Sequence, residues 1–383
     1  MRGRVGWVGA AVVSGWVAMV RSARGVGTRA RCTTLDGAQG CPTVPTFAAR
    51  GRDPPGREPR AMHFPDRQVE LEGECRCGRR GRLHHLSEIG GPLCEACFPE
   101  SMQRRVARDI RVYRMIPKGW KVAVALSGGK DSGSLLHILQ TLSRGRMNFR
   151  VSALHVNMEL GEYSAQSRRV CEGLADSLGV DLTTVSIAEW GLKVQQTRRF
   201  PTCAVCGGIR RPVMALVARR MAADVLVTGH TLDDQLVYAL KDLLSGKSHP
   251  PKPVTPKGPV FPQKAKPLFH LPDRAMAIYA RLAGLPTVPG ACPLFIPDTH
   301  RFKDVFEVLE GLAPLAKKQL IRSLSRNLKR PPGPDRVEQP CPVCGDPTYY
   351  NPCPLCRLRE WQAEDGAQTR SPARPATGAP HHG

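Results

Sequence analysis

An α/β fold on a parallel sheet, with a zinc ribbon at either end, is what this sequence predicts. Three observations predict it. An apolar, β-branched run from Val122 to Leu126 stops at Ser127-Gly128-Gly129, and a helical pattern with Leu135, Leu136 and Leu139 on one face comes next. That is a buried strand, a tight turn and a helix. Further strand runs at Phe149–Val156, Asp181–Ile187 and Asp224–Thr228 alternate with helical stretches. Strand, helix, strand implies a right-handed crossover and a parallel sheet. Lastly, paired cysteines bracket this body, at Cys94/Cys97 before it and at Cys341/Cys344 and Cys353/Cys356 after it.

The chain of 383 residues is long enough for one large core and two or three domains. Its formal charge is +23. The first sixty residues hold ten arginines against three acids, so the rest of the chain still carries +16. Such an excess argues for a polyanionic partner, nucleic acid before membrane.

Residues 1–61 differ from the rest. Val5 to Val20 is apolar and rich in Gly and Ala, flanked by Arg2, Arg4 and Arg21, and no lysine occurs before Arg60. The segment reads as a disordered extension: a presequence, or a start assigned too early with Met62 the true initiator. No other apolar run reaches membrane length, so no membrane partner is expected.

Residues 62–100 read as an N-terminal zinc ribbon. Cys94-x-x-Cys97 is a standard knuckle; Cys75-x-Cys77 is one residue short. Thiolates must meet at about 2.3 Å from one ion in a tetrahedron, and a two-residue gap makes that turn most easily. His84 or His85 is therefore a candidate replacement for one thiolate. Ser101 to Met115 then reads as a basic amphipathic helix, either a solvated packing helix or a phosphate-facing surface.

The catalytic domain is expected over 101–330. In Ser127-Gly128-Gly129-Lys130-Asp131-Ser132, two glycines allow a tight turn and close ligand approach. A helix N-terminus, a lysine and two hydroxyls complete an anion cradle. The spacing is not that of the Walker loop. It resembles the PP-loop of the N-type ATP pyrophosphatases, which bind the pyrophosphate of ATP and transfer AMP to a substrate oxygen. His155, at the carboxyl end of the second strand, borders the ligand face of the sheet or is a core histidine. Gly161-Glu-Tyr-Ser164 opens the next helix, and Cys171 within it reads as a buried small hydrophobe.

Cys203-x-x-Cys206 stands at a helix start with Arg210 and Arg211 behind it, which points to thiolates. With Cys292 they make three. Three thiolates suit a cluster with one open iron or a catalytic cysteine set; a redox pair with Cys292 merely buried is the plainer option. After the fourth strand, Thr228-Gly229-His230-Thr-Leu-Asp233-Asp234 is a glycine turn and an acidic helix start. Asp233 and Asp234 could hold Mg²⁺ or orient the reacting oxygen, and one of them could simply cap the helix. Ser245 to Lys264, with six prolines and four lysines, reads as an extended basic loop. Helices are expected over Leu271–Leu285 and Asp304–Leu328, the latter basic near its end through Lys317 and its neighbours.

Arg330 to Asp335 reads as a linker, 331–362 as a C-terminal zinc ribbon on Cys341, Cys344, Cys353 and Cys356, and 363–383 as a disordered tail.

Taken in order, Ser127–Ser132, Gly161–Ser164, Cys203-x-x-Cys206 with Arg210-Arg211, Thr228–Asp234, Lys266-Pro-Leu268 and Ala291-Cys-Pro293 resemble the TtuA-type tRNA 2-thiolation enzymes, a group with TtcA-like and cytosolic wobble-uridine thiolases. The resemblance runs from about Cys75 to Cys356. It implies a PP-loop ATPase core, a [4Fe–4S] cluster on Cys203, Cys206 and Cys292, ATP and Mg²⁺ at the loop with Gly229 and Asp234 nearby, and two zinc ions. It implies tRNA as substrate, a small thiocarboxylated sulfur-carrier protein as donor, a cytoplasmic location and room for a homodimer. Arg210 stands where some relatives have a catalytic lysine; a guanidinium stays protonated, so charge stabilisation replaces proton transfer there. The expected reaction is 2-thiolation of a T-loop uridine through an adenylated base. The alternatives are thiolation at a wobble uridine or a cytidine, a pyrophosphatase ligase acting on a small molecule, and an RNA-binding protein on an inactive fold.

Overall fold

The computed structural model describes residues 70–145, 147–197, 199–258, 261–294, 298–329 and 337–369. Of two compact units, Met1–His63 and Phe64–Gly383, all of these belong to the second. The predicted extension over 1–61 and the linker Arg330–Asp335 lie outside the described residues.

The chain begins with three antiparallel strands, β1 (Glu70–Glu74), β2 (Arg80–Leu86) and β3 (Gly90–Cys94), in that order across a small sheet. Helix α1 (Cys97–Val112) leads to β4 (Lys121–Leu126), α2 (Lys130–Arg144), β5 (Arg150–Asn157), α3 (Glu162–Leu178), β6 (Leu182–Ser186), α4 (Thr202–Arg220), β7 (Val225–Thr228) and α5 (Leu232–Leu244). Short strands β8 (Val254–Thr255) and β9 (Gln263–Ala265) precede α6 (Asp273–Leu282), α7 (Asp298–Leu312) and α8 (Ala316–Asn327). The hairpin β10 (Gln339–Pro340) and β11 (Pro347–Thr348) and helix α9 (Pro354–Thr369) close the described chain.

The main sheet has the order β6-β5-β4-β7-β9-β8, parallel except at β8. The chain winds outward from β4 through β5 to β6 and then returns to lay β7 on the other side of β4. The direction reverses between β4 and β7, the place where open α/β sheets bind ligands at their carboxyl ends. Alternation along β4 decides what packs where. Val122, Val124 and Leu126 face a core shared with α1, α2, α3 and α6. Ala123 and Ala125 face a second core made with α4, α9 and the C-terminal cysteines. The small alanines let α4 lie close to the sheet.

Two expectations need correction. The stretch Ser245–Lys264 is not wholly an extended loop: β9 pairs with β7 in parallel, Val227 opposite Ala265, and β8 pairs back on it. Buried Gln263 and Ala265 alternate with Lys264, a pattern too short to show as a strand in sequence. Residues 363–369 are not tail, because α9 continues to Thr369; the rest of the expected tail lies outside the described residues.

Candidate active site

The carboxyl ends of β5, β4 and β7 bring His155, Ser127 and Thr228 side by side, since Leu126 pairs with His155 and Ala125 with Thr228. Between them opens a cavity of about 380 Å³. One wall is the Ser127–Ser132 turn; the other carries Tyr163, Gly207, Arg210 and Arg211. The turn is closed by its own hydroxyls. The Ser127 N–H donates to Ser132 Oγ at 3.1 Å, and Ser132 Oγ donates to the Gly129 carbonyl at 3.0 Å. Gly128 sits at φ +77°, where a Cβ would also strike Val288 at 2.6 Å. At Gly229 a Cβ would fall 2.9 Å from the Asp131 and Ser132 backbone, so only glycine lets the two turns meet.

Of the helices that start at this edge, α2 and α5 begin where the two glycine turns meet, and their N-termini differ. Thr231 caps α5 with a full capping box: its side chain accepts from the Asp234 N–H, and Asp234 accepts from the Thr231 N–H at 3.0 Å. Gly129 begins α2 with no side-chain cap. The first amides of α2 are therefore the ones left to an anion.

Around this free end lies a lattice of charge. Lys130 Nζ contacts Asp273 at 2.5 Å and Asp131 at 2.8 Å. Lys303, from α7, contacts Asp234 at 2.9 Å and the other oxygen of Asp273 at 3.1 Å. Burial opposes the charge on both lysines, but the carboxylates outweigh it and both ammonium groups are raised. Burial first, then the neighbouring carboxylates Asp273 and Asp234, push Asp131 up to about 7 against the pull of Lys130. Lys303 and Asp273 were not legible as site residues; no motif marks either, and only the packing of α6 and α7 brings them here.

Asp233 departs from its expected role. It is 1 % exposed and points away from the cavity, accepting from the Asp273 N–H at 2.6 Å and pairing with Lys317 at 2.9 Å. Lys317 is itself 1 % exposed and also meets Glu307 at 2.6 Å and Glu88 of the N-terminal module at 3.1 Å. This lysine, expected on a basic helix end, instead ties four segments together in the interior. One aspartate of the pair is thus structural, while its neighbour caps α5 and faces Lys303. His155 is 3 % exposed and lines the cavity; its Nδ1 lies 3.1 Å from the Leu126 carbonyl, and its buried Nε2 has no hydrogen-bond partner.

The cysteines fall into two kinds. Cys75, Cys77, Cys94 and Cys97 have their sulfurs within 4.8 Å of one another, as do Cys341, Cys344, Cys353 and Cys356. Cys77 and Cys94, and Cys344 and Cys353, stand 3.7 Å apart. Four sulfurs at about 2.3 Å from one ion would be about 3.8 Å apart, so both quartets fit a tetrahedral zinc. Neither His84 nor His85 belongs to the first quartet, and the short Cys75-x-Cys77 spacing suffices.

Cys203, Cys206 and Cys292 are arranged more openly. The Cys203 thiol donates to the Leu294 carbonyl at 3.4 Å, which draws the Cys292 segment to the start of α4. Cys206 feels the charge of both other cysteines, and Tyr163 in the cavity wall feels Cys292 and Cys206. The three sulfurs do not crowd within the 4.8 Å of the quartets. Cysteine thiolates are the usual ligands of iron–sulfur clusters, and three thiols drawn together from two distant stretches are a donor set of that chemistry. The expected thiolate at Cys206 is not favoured in the free thiol: burial raises it, with Cys292 and Cys203 adding, and Arg210 only partly opposes them.

Comparison with known proteins agrees with this geometry. The PP-loop domain family matches residues 100–250. The tRNA-5-methyluridine(54) 2-sulfurtransferase of Thermotoga maritima is 30% identical over 295 residues, covering 74% of this chain and 95% of that protein. That of Pyrococcus horikoshii is 29% identical over 275 residues, covering 70% and 87%. Among solved structures, the U34-tRNA thiolase NcsA from Methanococcus maripaludis with its [4Fe-4S] cluster superposes with a TM-score of 0.64 at 24% identity, over 75% of this chain and 95% of that one. No helix among the described residues is long and apolar enough to cross a membrane. With a free helix end at the sheet's reversal point, a PP-loop match and a relative spanned almost end to end, this chain belongs to the PP-loop tRNA 2-sulfurtransferase family.

Proposed function

We propose that the chain is an ATP-dependent tRNA sulfurtransferase that makes 2-thiouridine at position 54 of the T-loop. The observation that carries this is one cavity of about 380 Å³ with the free N-terminus of α2 on one side and Tyr163, Gly207 and Arg210 on the other, Tyr163 lying within the field of Cys206 and Cys292. The position follows the relatives of Thermotoga maritima and Pyrococcus horikoshii, whose names specify it.

The pyrophosphate of ATP lies on the first amides of α2, with Lys130 and Lys303 turning from their carboxylates toward phosphate. His155 offers its unpartnered Nε2 to the nucleoside. The target base leaves its stack to enter the cavity, as enzymes that act on a base require. Its O2 attacks the α-phosphorus, with loss of the N3 proton and departure of pyrophosphate. Arg210, which has no carboxylate partner among the described residues, stabilises charge on the AMP group. Hydrosulfide then adds at C2, AMP leaves with the oxygen, the C=S bond forms, and the sulfur's proton goes back to N3. Held by Cys203, Cys206 and Cys292, a [4Fe–4S] cluster would leave one iron without a protein ligand and so supply a site to carry sulfide. Asp131 and Asp234 would hold Mg²⁺ beside the phosphates, and the two quartets would hold zinc. A thiocarboxylated carrier protein as sulfur donor, a homodimeric assembly and a cytoplasmic location belong to the same proposal.

The test is anaerobic: cluster-loaded protein, ATP, sulfide and a tRNA transcript, with thiolated nucleosides mapped by mass spectrometry. Sulfur at position 54 that disappears in Cys292→Ala is the expected result. Sulfur at position 34, or undiminished thiolation in Cys292→Ala, overturns the reading.

A further inference from the structure

We propose that the cleft between α4, β9 and the C-terminal ribbon holds the nucleotide next to the target uridine, with its phosphate on Arg211 and Lys264 and its base against Phe261 and Tyr349. The inference rests on the sulfurtransferase reading and deepens it.

This second cavity also measures about 380 Å³, within the range of nucleotide-sized sites. It adjoins the active site, because Arg211 lines both. A strand that places one base in the first cavity and the next base in the second passes its backbone by Arg211. The groove walls suit the adjoining nucleotide. Phe261 and Tyr349 face each other with ring centroids 5.9 Å apart, tilted by 55°, and offer π-faces on which any base stacks. Gly258 allows this approach: a Cβ there would lie 2.6 Å from the Tyr349 hydroxyl.

The charges are the second observation. Among the described residues, neither the Arg211 nor the Lys264 side chain has an ion pair or hydrogen bond. The surrounding protein, and then the Arg211 charge, hold the Lys264 ammonium below its ordinary range, although the residue is exposed. Lys266, on the same side of the chain, is lowered to about 8 by burial and again by Arg211, and has only the Gln235 carbonyl at 2.6 Å. The acid in the wall, Asp346, lies 3.7 Å from Arg220 instead. Arg211 and Lys264 in the wall of an aromatic cleft, with Lys266 adding to the charge against Arg211, ask for an anion with a flat apolar face. An apolar peptide would strip water from Arg211 and Lys264 and leave both unpaired, which is costly. A nucleotide supplies both the phosphate and the face.

The experiment measures binding of the full, metal-loaded chain to a tRNA transcript across a salt series. Lys264→Glu is expected to weaken binding about tenfold and to lower the salt slope by about one contact. Tyr349→Ala is expected to weaken binding about tenfold through lost stacking, with the slope unchanged. If zinc analysis shows that Tyr349→Ala disturbs the ribbon, Phe261→Leu reads the same stacking contact. Variants that match the wild type in affinity and slope, while the wild type binds tRNA, overturn the groove and leave the sulfurtransferase reading standing. A wild-type chain that does not bind tRNA overturns both.

Discussion

Two cysteine quartets and one cysteine trio use the same side chain for opposite ends. In the quartets every sulfur is within 4.8 Å of the others, and the 3.7 Å separations leave room for one tetrahedral ion and nothing else. Such a site is closed: no position is free for chemistry. The trio spreads its sulfurs across the start of α4 and the Cys292 segment, beside a cavity wall that carries Arg210 and Tyr163. A set one ligand short keeps a place open. The difference teaches that spacing in sequence marks a cysteine group when all four of its members are local, as in the quartets. Cys292 lies 86 residues beyond Cys206, and the fold alone brings it in.

The sharpest way to break this contrast is to damage each kind in turn. Cys353→Ser should abolish zinc at the C-terminal quartet and disorder the ribbon, since structural zinc contributes about 10–16 kcal/mol of apparent binding energy. Zinc analysis and proteolysis of the C-terminal segment check it. Retention of a tightly bound ion and an ordered ribbon would erase the distinction. Cys292→Ala should do the reverse. Thiolation should fall by about 10³-fold, as for a residue on which the chemistry depends, while both zinc ions and the melting temperature stay in place.

The N-terminal quartet adds a further test, because its module is bolted to the active-site helix. Glu88 meets Lys317, and Lys317 meets Asp233 next to the capping Asp234. Lys317→Met would leave buried carboxylates without their cation, a loss of about 3–5 kcal/mol. Denaturant unfolding measures it; a loss below about 1 kcal/mol would show the cluster to be hydrated rather than buried.

The smallest expected effect concerns His230, in the wall of the same cavity. Burial, with Lys266 and Arg211 adding, holds its imidazole down at about 4 despite the opposing pull of Asp234. Unfolded, it takes a proton near pH 6.5. Its neutral form therefore stabilises the fold fully above about pH 6.5, and that contribution is lost as pH falls toward 4, by up to about 1.4 kcal/mol per pH unit. Melting curves between these limits should flatten in His230→Gln. An unchanged slope would mean that the ring is protonated in the folded chain as well.

Local signals carried much of the architecture. The β4 run, its Gly-Gly turn and the alternation of strands with amphipathic helices are short-range patterns, and they appear where the residues place them. The C-terminal quartet was equally plain, since its two knuckles are separated by one hairpin. Strand β9 was not, because three residues in a proline-rich stretch carry no periodicity. Asp233 and Asp234 could not be told apart either. Adjacent residues on a helix point in different directions, and only the packing of α8 decides which one meets a buried lysine.

What the amino-acid order determined by itself was everything built from neighbours in the chain: the phosphate turn, the knuckles, the parallel sheet and the excess of positive charge. What tertiary structure alone decided was which distant groups share a space. Lys303 and Asp273 at the phosphate end, Cys292 beside Cys206, and Arg211 between two cavities all depend on helices and loops far apart in the chain. The reason is physical: a turn or a knuckle is specified by torsions and hydrogen bonds within a few residues, whereas a cavity is specified by how whole elements pack, and no short stretch of sequence contains that information.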